Sequence, residues 1–270
     1  RGSSTADMGS TDESRRIKSL DRSLELVEAM RKRDSATISE LEQETTLTAG
    51  TIHTHLSTLK SHGLVAQEDQ SYRLGSYFIT LGEHVRNSSD LYLAARSEVD
   101  KLASDTGEAA HLFVEDGGKG IPIYESFGPE AVGRKYHIRN REKPRQHLHC
   151  TAYGKAILSQ LPRSRVEKIL DRHGLESKSP ETITDEEQLY DSLEQISGQG
   201  YAINDEEEIQ GIRGIGTAIV DNDSEVRGAI SLSAPTTRMG TGRLTEELPS
   251  KLLEAANVIQ INLSTDNYEY

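Results

Sequence analysis

Apolar positions between residues 37 and 74 recur first at helical and then at strand spacing, and the polar residues between them are those that start and stop such elements. Thr37 precedes Ile38 and Leu41, its hydroxyl suited to cap free helix amides while Glu40 reaches back to the Thr37 amide. After Leu47 a second start follows, with Thr48 as the expected cap and Ile52, Leu56 and Leu59 inward, which leaves Thr51, His53, Thr54, Ser57 and Lys60 outside. Gly63 supplies a left-handed stop. Leu64 and Val65 open a strand, Asp69 and Gln70 form a turn, and Tyr72, Arg73 and Leu74 return. Two helices and a hairpin in this order predict a winged helix-turn-helix, whose second helix enters a DNA major groove. The same unit also serves as a protein-interaction module. The hydroxyls, histidines and lysine on the outer face of the second helix favour DNA over that alternative.

Upstream, Ile17, Leu20, Leu24, Val27 and Met30 predict an amphipathic helix that packs behind the other two, with Arg15, Arg16, Lys18 and Arg22 before or beside its start as phosphate-contact candidates or as solvated charges. Downstream, Phe78, Ile79, Leu81 and Val85 predict a connector helix broken by Asn87, Ser88 and Ser89. The expected organisation is a disordered or tag-derived start over 1–14, the winged helix over 15–75, a linker helix over 76–89, and an effector-binding and oligomerisation domain over 90–270. Within the last, helices are expected at Leu91–Ala103, Thr151–Leu161, Arg163–His173, Asp185–Ser197 and Thr245–Ile261. Strands are expected at Ala109–Glu115, Ile121–Ser126, Gly216–Val220 and Val226–Ser233, with Gly117-Gly118 and Asp221–Ser224 as turns. Helices on a sheet of antiparallel hairpins give an α+β sensor-like domain.

The 270 residues suffice for two domains, and 44 acidic against 31 basic side chains give a net charge of −13. That charge repels phosphates, yet Arg15 to His62 holds eight Lys/Arg against seven Asp/Glu, so the excess acid lies downstream. Acid richness with only 11 lysines suggests adaptation to a salt-rich cytoplasm, where the Debye length falls to ~3 Å and acidic surface repels DNA less. A cytoplasmic protein without a membrane span is the expectation: the single Cys150 cannot form an internal disulfide, and no apolar run is long enough to cross a bilayer.

His147, His149 and Cys150 are metal-ligand types, with His137 nearby in sequence, but a closed zinc site takes four ligands. Asp205 to Glu208 could hold a hard cation or be solvated acid. Packing and solvation are preferred, so no metal or cofactor is expected. Cys150 with a neighbouring histidine could be read as a nucleophile and base, but adjacent strand residues point to opposite faces, and GIRGIG lacks the lysine and spacing of a nucleotide loop. No catalysis is expected.

Three stretches give the chain a family resemblance: TAGTIHTHLSTLKSHGLV followed by YRLG, then HLHCTAYGKAIL, then GYAINDEEEIQGIRGIGTAIVD with VRGAISLSAP. From Ile17 to Leu263 the sequence resembles the IclR family of transcriptional regulators, here with a halophilic archaeal character. The resemblance implies a winged helix joined by a linker helix to a GAF-like effector domain. It further implies a homodimer or homotetramer on a double-stranded operator, and a small-molecule effector such as an organic or sugar acid. DNA contacts are expected from Arg15, Arg16, Thr48, Thr51, His53, Thr54, Ser57, Lys60, Tyr72 and Arg73. Carried over by position, the effector pocket is expected from Leu148, Ala152, Tyr153, Asn204, Ile212, Gly214, Ser231 and Ser233. A helix N-terminus near Ala152 and two serines on one strand face suit a small anion. Where Asn204 and Gly214 stand, members that bind small keto acids carry a carboxylate and a cysteine, and where Thr54 stands the family commonly has an arginine. Threonine offers one hydroxyl and a methyl, so the operator should depend less on guanine there. A small-ligand sensor that acts through a protein partner is the alternative.

Overall fold

The computed structural model describes residues 16–132 and 146–265; Arg15 and His137 lie outside them. The chain divides into two compact units between His84 and Val85.

In the first unit, α1 (Lys18–Arg31), α2 (Ile38–Glu44) and α3 (Ala49–Ser61) pack around Leu26, Met30, Leu41, Ile52 and Leu56. The capping box forms as expected: the Glu40 amide donates to Thr37 Oγ1 at 3.3 Å, and Glu40 Oε2 accepts from the Thr37 amide at 2.7 Å. Thr48 does not cap α3. Its hydroxyl meets Thr51 Oγ1, and Glu42 takes the Ala49 amide instead. The inward face of α1 also differs from the expected one. Leu26 and Met30 are buried while Ile17, Leu20 and Leu24 are exposed, because the side of α1 that meets α3 is the side on which Ser23 hydrogen-bonds His55.

The hairpin β2 (Val65–Glu68) and β3 (Ser71–Leu74) has a third member, β1 (Ala36–Thr37), on the far side of β3. β3 is therefore central. Tyr72 pairs with Ala36, sits 7% exposed in the core, and is withdrawn from the DNA-contact set, whereas Arg73, pointing the other way, stays exposed.

The unit boundary falls inside α4 (Tyr77–Asn87), none of whose residues is buried. In the second unit, β4 (Ala109–Asp116), β5 (Lys119–Phe127), β6 (Gln146–His147), β7 (Ala202–Asp205), β8 (Ile212–Val220) and β9 (Val226–Pro235) form one antiparallel sheet in the order β6-β5-β4-β9-β8-β7. One face buries α5 (Asp90–Thr106) and α9 (Leu248–Thr265) over Leu112, Ile215, Ile230 and Leu232. The other carries α6 (Ala152–Gln160), α7 (Arg163–His173) and α8 (Glu186–Gln199) over Phe113, Ala202 and Ala229. The last helix starts after a widened turn at Arg243–Glu247 rather than at Thr245, and β8 starts at Ile212 rather than Gly216. Among the described residues no helix is long and apolar enough to cross a membrane.

Glu108, fully buried beyond α5, ties the loop after β9 to this layer. Arg243 donates to its Oε1 at 2.7 Å and to the Thr106 carbonyl at 2.7 Å, while Arg238 holds its other oxygen. Removing the carboxylate leaves the partly buried Arg238 without its counter-charge and Arg243 with only Glu247, 3.7 Å from its Nε. Glu108→Ala should therefore cost about 3–5 kcal/mol in the unfolding transition of the second unit, read by urea denaturation; a loss below about 1 kcal/mol would contradict this role.

Candidate functional site

On the winged helix, Thr48, His53, Thr54, Ser57, Lys60 and Arg73 are exposed and Thr51 is half-buried, so α3 presents hydroxyls and an imidazole with few cations. Thr54 Oγ1 donates to the Gly50 carbonyl at 3.0 Å, so the helix itself takes its proton and leaves an acceptor and a methyl outward. Lys60 donates to Gln67 Oε1 at 2.7 Å, which links α3 to β2. Arg16 is exposed before α1 and ion-paired with Asp21.

The second site is a solvent-open cleft of about 570 Å³ beside the first turn of α6. Thr151 caps this helix by accepting from the Gly154 amide at 3.1 Å. Three glycines let the turn sit against the sheet. A Cβ at Gly216 would lie 2.7 Å from the Tyr153 amide nitrogen, one at Gly120 would lie 2.5 Å from the Tyr153 ring, and one at Gly154 would strike the Leu148 carbonyl. Only glycine allows such an approach.

Of the eight residues expected in the pocket, Ala152, Tyr153, Asn204, Ile212, Gly214, Ser231 and Ser233 line this one cleft. Leu148 does not. It is 2% exposed in the core beneath α6, where its carbonyl backs the tight loop. The structure adds His111, Phe113, Glu125, Gln146 and Glu208, which sequence reasoning missed. Phe113 and Tyr153 stack at 3.5 Å between ring centroids, and the Tyr153 hydroxyl donates to Gln146 Oε1 at 2.7 Å. Asn204 Oδ1 accepts from the Glu207 amide at 2.9 Å, leaving its NH2 as a donor on the cleft wall.

Across three neighbouring strands runs a polar row. Glu125 Oε1 is 2.9 Å from His111 Nδ1, and His111 Nε2 is 2.9 Å from Ser233 Oγ, with both His111 and Glu125 about 5% exposed. The connectivity is that of a nucleophile, base and acid. Ser233, however, lies inside β9, a central strand paired with both neighbours, so the adjoining amides belong to the ladders rather than to an oxyanion site.

Behind the cleft, Lys155 and Glu207 form a buried ion pair, and the Glu207 carbonyl accepts from Thr182 at 2.6 Å. Burial pushes the Glu207 carboxyl up, against the opposing pull of Lys155.

His147 Nε2 is 2.9 Å from Lys119 Nζ and 3.0 Å from Glu176, and His149 Nε2 is 3.1 Å from the Glu176 carbonyl. Cys150 is buried, and loss of solvation raises its thiol to about 12, which leaves no thiolate to act as a nucleophile. Among the described residues no group of three His, Cys, Asp or Glu could hold a metal ion. Burial, then the nearby Lys119, lowers His147 to about 4. The unfolded chain therefore binds a proton that the folded one refuses between about pH 6.5 and 4, so His147 costs stability as pH falls through that window. His147→Gln should lose less stability than the parent between pH 6.5 and 4, read by urea denaturation at stepped pH; parallel losses would contradict this.

Two domain models match the sequence: "IclR helix-turn-helix domain" over residues 19–69, and "Bacterial transcriptional regulator IclR C-terminal" over residues 83–261. The chain is 43% identical over 256 residues to a "Probable HTH-type transcriptional regulator ArcR" of Halobacterium salinarum, covering 94% of this chain and 96% of that protein. It is 29% identical to the HTH-type transcriptional regulator XynR of Escherichia coli, over 84% of this chain and 90% of XynR. The crystal structure of IclR from Thermotoga maritima superposes with a TM-score of 0.73 at 27% identity, covering 91% of this chain and 98% of that one.

Proposed function

This chain belongs to the IclR family of transcriptional regulators, and from that premise we propose that it is a homodimer, or a pair of dimers, that reads its operator through the outer face of α3. In this reading the α6 cleft binds a small organic or sugar acid that modulates the grip on DNA. The family fixes the coarse function, a DNA-binding regulator with an effector-binding C-terminal domain. The observation that carries the finer assignment is the convergence of seven of the eight expected pocket residues on one cleft.

Dimerisation is supported by α4. Ile79 is 68% exposed, Val85 is 70% exposed, and Tyr77 and Leu81 are also uncovered, a burden of apolar surface that the same helix of a second copy would bury. Two reading heads then meet a two-fold operator with half-sites about one helical turn, ~10 base pairs, or a multiple apart. The effector acts by binding one arrangement of the paired heads more tightly than the other. The acidic composition fits work in concentrated salt, in keeping with the 43% identical relative from Halobacterium salinarum.

The test is fluorescence anisotropy of the intact protein in concentrated potassium chloride, against DNA from upstream of its own and neighbouring genes, with candidate metabolites added in turn. A fragment held in a metabolite-dependent way is expected, and the response should disappear when Ser231 and Ser233 are both changed to Ala. Failure of every fragment with a folded protein would favour a sensor that acts through a protein partner.

Base reading is testable separately. Thr54→Arg should raise preference for a guanine at one operator position by ~1–3 kcal/mol, because a guanidinium can bridge O6 and N7. An unchanged preference in a randomised-site selection would remove Thr54 from the reading face.

A further inference from the structure

Three strands bring a hydrogen-bonded row together at the cleft floor. His111 on β4 stands opposite Glu125 on β5 and opposite Ser231 on β9, and its ring reaches diagonally to Ser233. An ionised carboxylate only accepts, so beside an ionised Glu125 a neutral His111 imidazole carries its proton on Nδ1, facing Glu125 Oε1. Nε2 is then bare and accepts, and the Ser233 hydroxyl lies 2.9 Å from it. In that state the Ser233 proton points inward to His111. What remains toward the cleft is oxygen lone pairs.

We infer that the cleft floor holds an ionised Glu125 beside a neutral His111, that Glu125 acting through His111 thereby makes Ser233 a hydrogen-bond acceptor, and that the effector places a hydroxyl there rather than a carbonyl or carboxylate oxygen. The inference rests on the cleft being the effector site. It narrows the effector class to hydroxylated compounds, of which a sugar acid is one. Elsewhere on the cleft wall Asn204 presents its NH2 as a donor, so the described lining offers a donor for a carboxylate apart from the Ser233 position. A carbonyl oxygen set against Ser233 meets an acceptor with an acceptor, which costs affinity by about tenfold or more. Glu125 is here a positioning residue, since its effect reaches the ligand through His111.

The test uses the full-length protein and three pairs of probes that differ by one hydroxyl against one carbonyl: lactate and pyruvate, glycerate and hydroxypyruvate, gluconate and 2-ketogluconate. In calorimetric titration, the hydroxyl member of each binding pair should be favoured by about tenfold or more. In E125Q the carboxamide can donate to Nδ1, which moves the ring proton to Nε2 and turns the Ser233 proton outward, so the preference should collapse or invert. A purely structural role for Glu125 would weaken both members alike and would overturn the proposal, as would a preference for the carbonyl members in the parent protein.

Nitrogen-15 NMR of the histidine-labelled protein, with the His111 signal assigned by its loss in H111Q, reads the tautomer without any ligand. Nδ1 protonated and Nε2 bare supports the polarity argument, even where no probe binds. Protonated Nε2 overturns it. Probes that bind equally well to a Gly214→Leu variant, with the Nδ1 tautomer intact, would place their site outside the cleft and so contradict the effector-site reading instead.

Discussion

The effector domain depends on how closely the first turn of α6 approaches the sheet. Gly216 leaves no room for even a methyl group beneath the Tyr153 amide, Gly120 lies under the Tyr153 ring, and Gly154 sits against the Leu148 carbonyl. Because the helix touches the strands directly, every residue from Ala152 to Leu158 is buried, Lys155 among them, and Tyr153 is brought into parallel contact with Phe113. The cleft is the space left beside this contact. A larger side chain at 216 would lift the helix and spoil the cleft and the lower core together, since close-packed interiors transmit such a displacement.

Polar groups under and beside the cleft follow from the same closeness. Lys155 cannot reach water from a helix pressed on the sheet, so Glu207 meets it from the β7–β8 turn, and Asn204 and Thr182 hold that turn in place. Buried pairs of this kind add little net stability but tolerate few alternatives, because removing either partner strands a charge. The same logic applies to Glu108 between its two arginines, on the opposite layer. Both devices fix loops at the ends of strands, where a ligand-responsive domain needs defined geometry. The cleft floor is polar for a different reason. His111, Glu125 and Ser233 come from strands adjacent in the sheet and form one hydrogen-bonded row, so a change at Glu125 reaches Ser233 through the ring between them.

Much of this was legible in the sequence because the signals were local. The capping box at Thr37 and Glu40, the left-handed Gly63 at φ 72°, and the Gly117-Gly118 turn each act within a few residues, and each is found. Long-range pairing was less visible. The two-residue strand β1 gives no pattern of its own, yet it makes β3 central and turns Tyr72 inward. On α1, Leu20 and Leu24 keep helical spacing but lie on the face away from α3, and periodicity cannot choose between two apolar stripes. His111 and Glu125 illustrate a further limit. Counting outward from the Gly117-Gly118 turn sets Tyr124 opposite His111, but a bulge between Leu112 and Phe113 shifts the register by one and brings Glu125 there instead. Leu148 was expected in the pocket by position in a motif; its carbonyl supports the pocket while its side chain fills the core.

The cleft stands on the glycine-limited seat of α6, and hydrogen exchange measured by mass spectrometry on the parent protein and on G216A tests that dependence most directly. The account predicts faster exchange through the first turns of α6 and along β8 in G216A, with the winged-helix peptides from Ala36 to Leu74 unchanged. Equal protection of α6 in the two proteins would show that the helix does not need its glycine seat, and would contradict the claim that this contact builds the cleft.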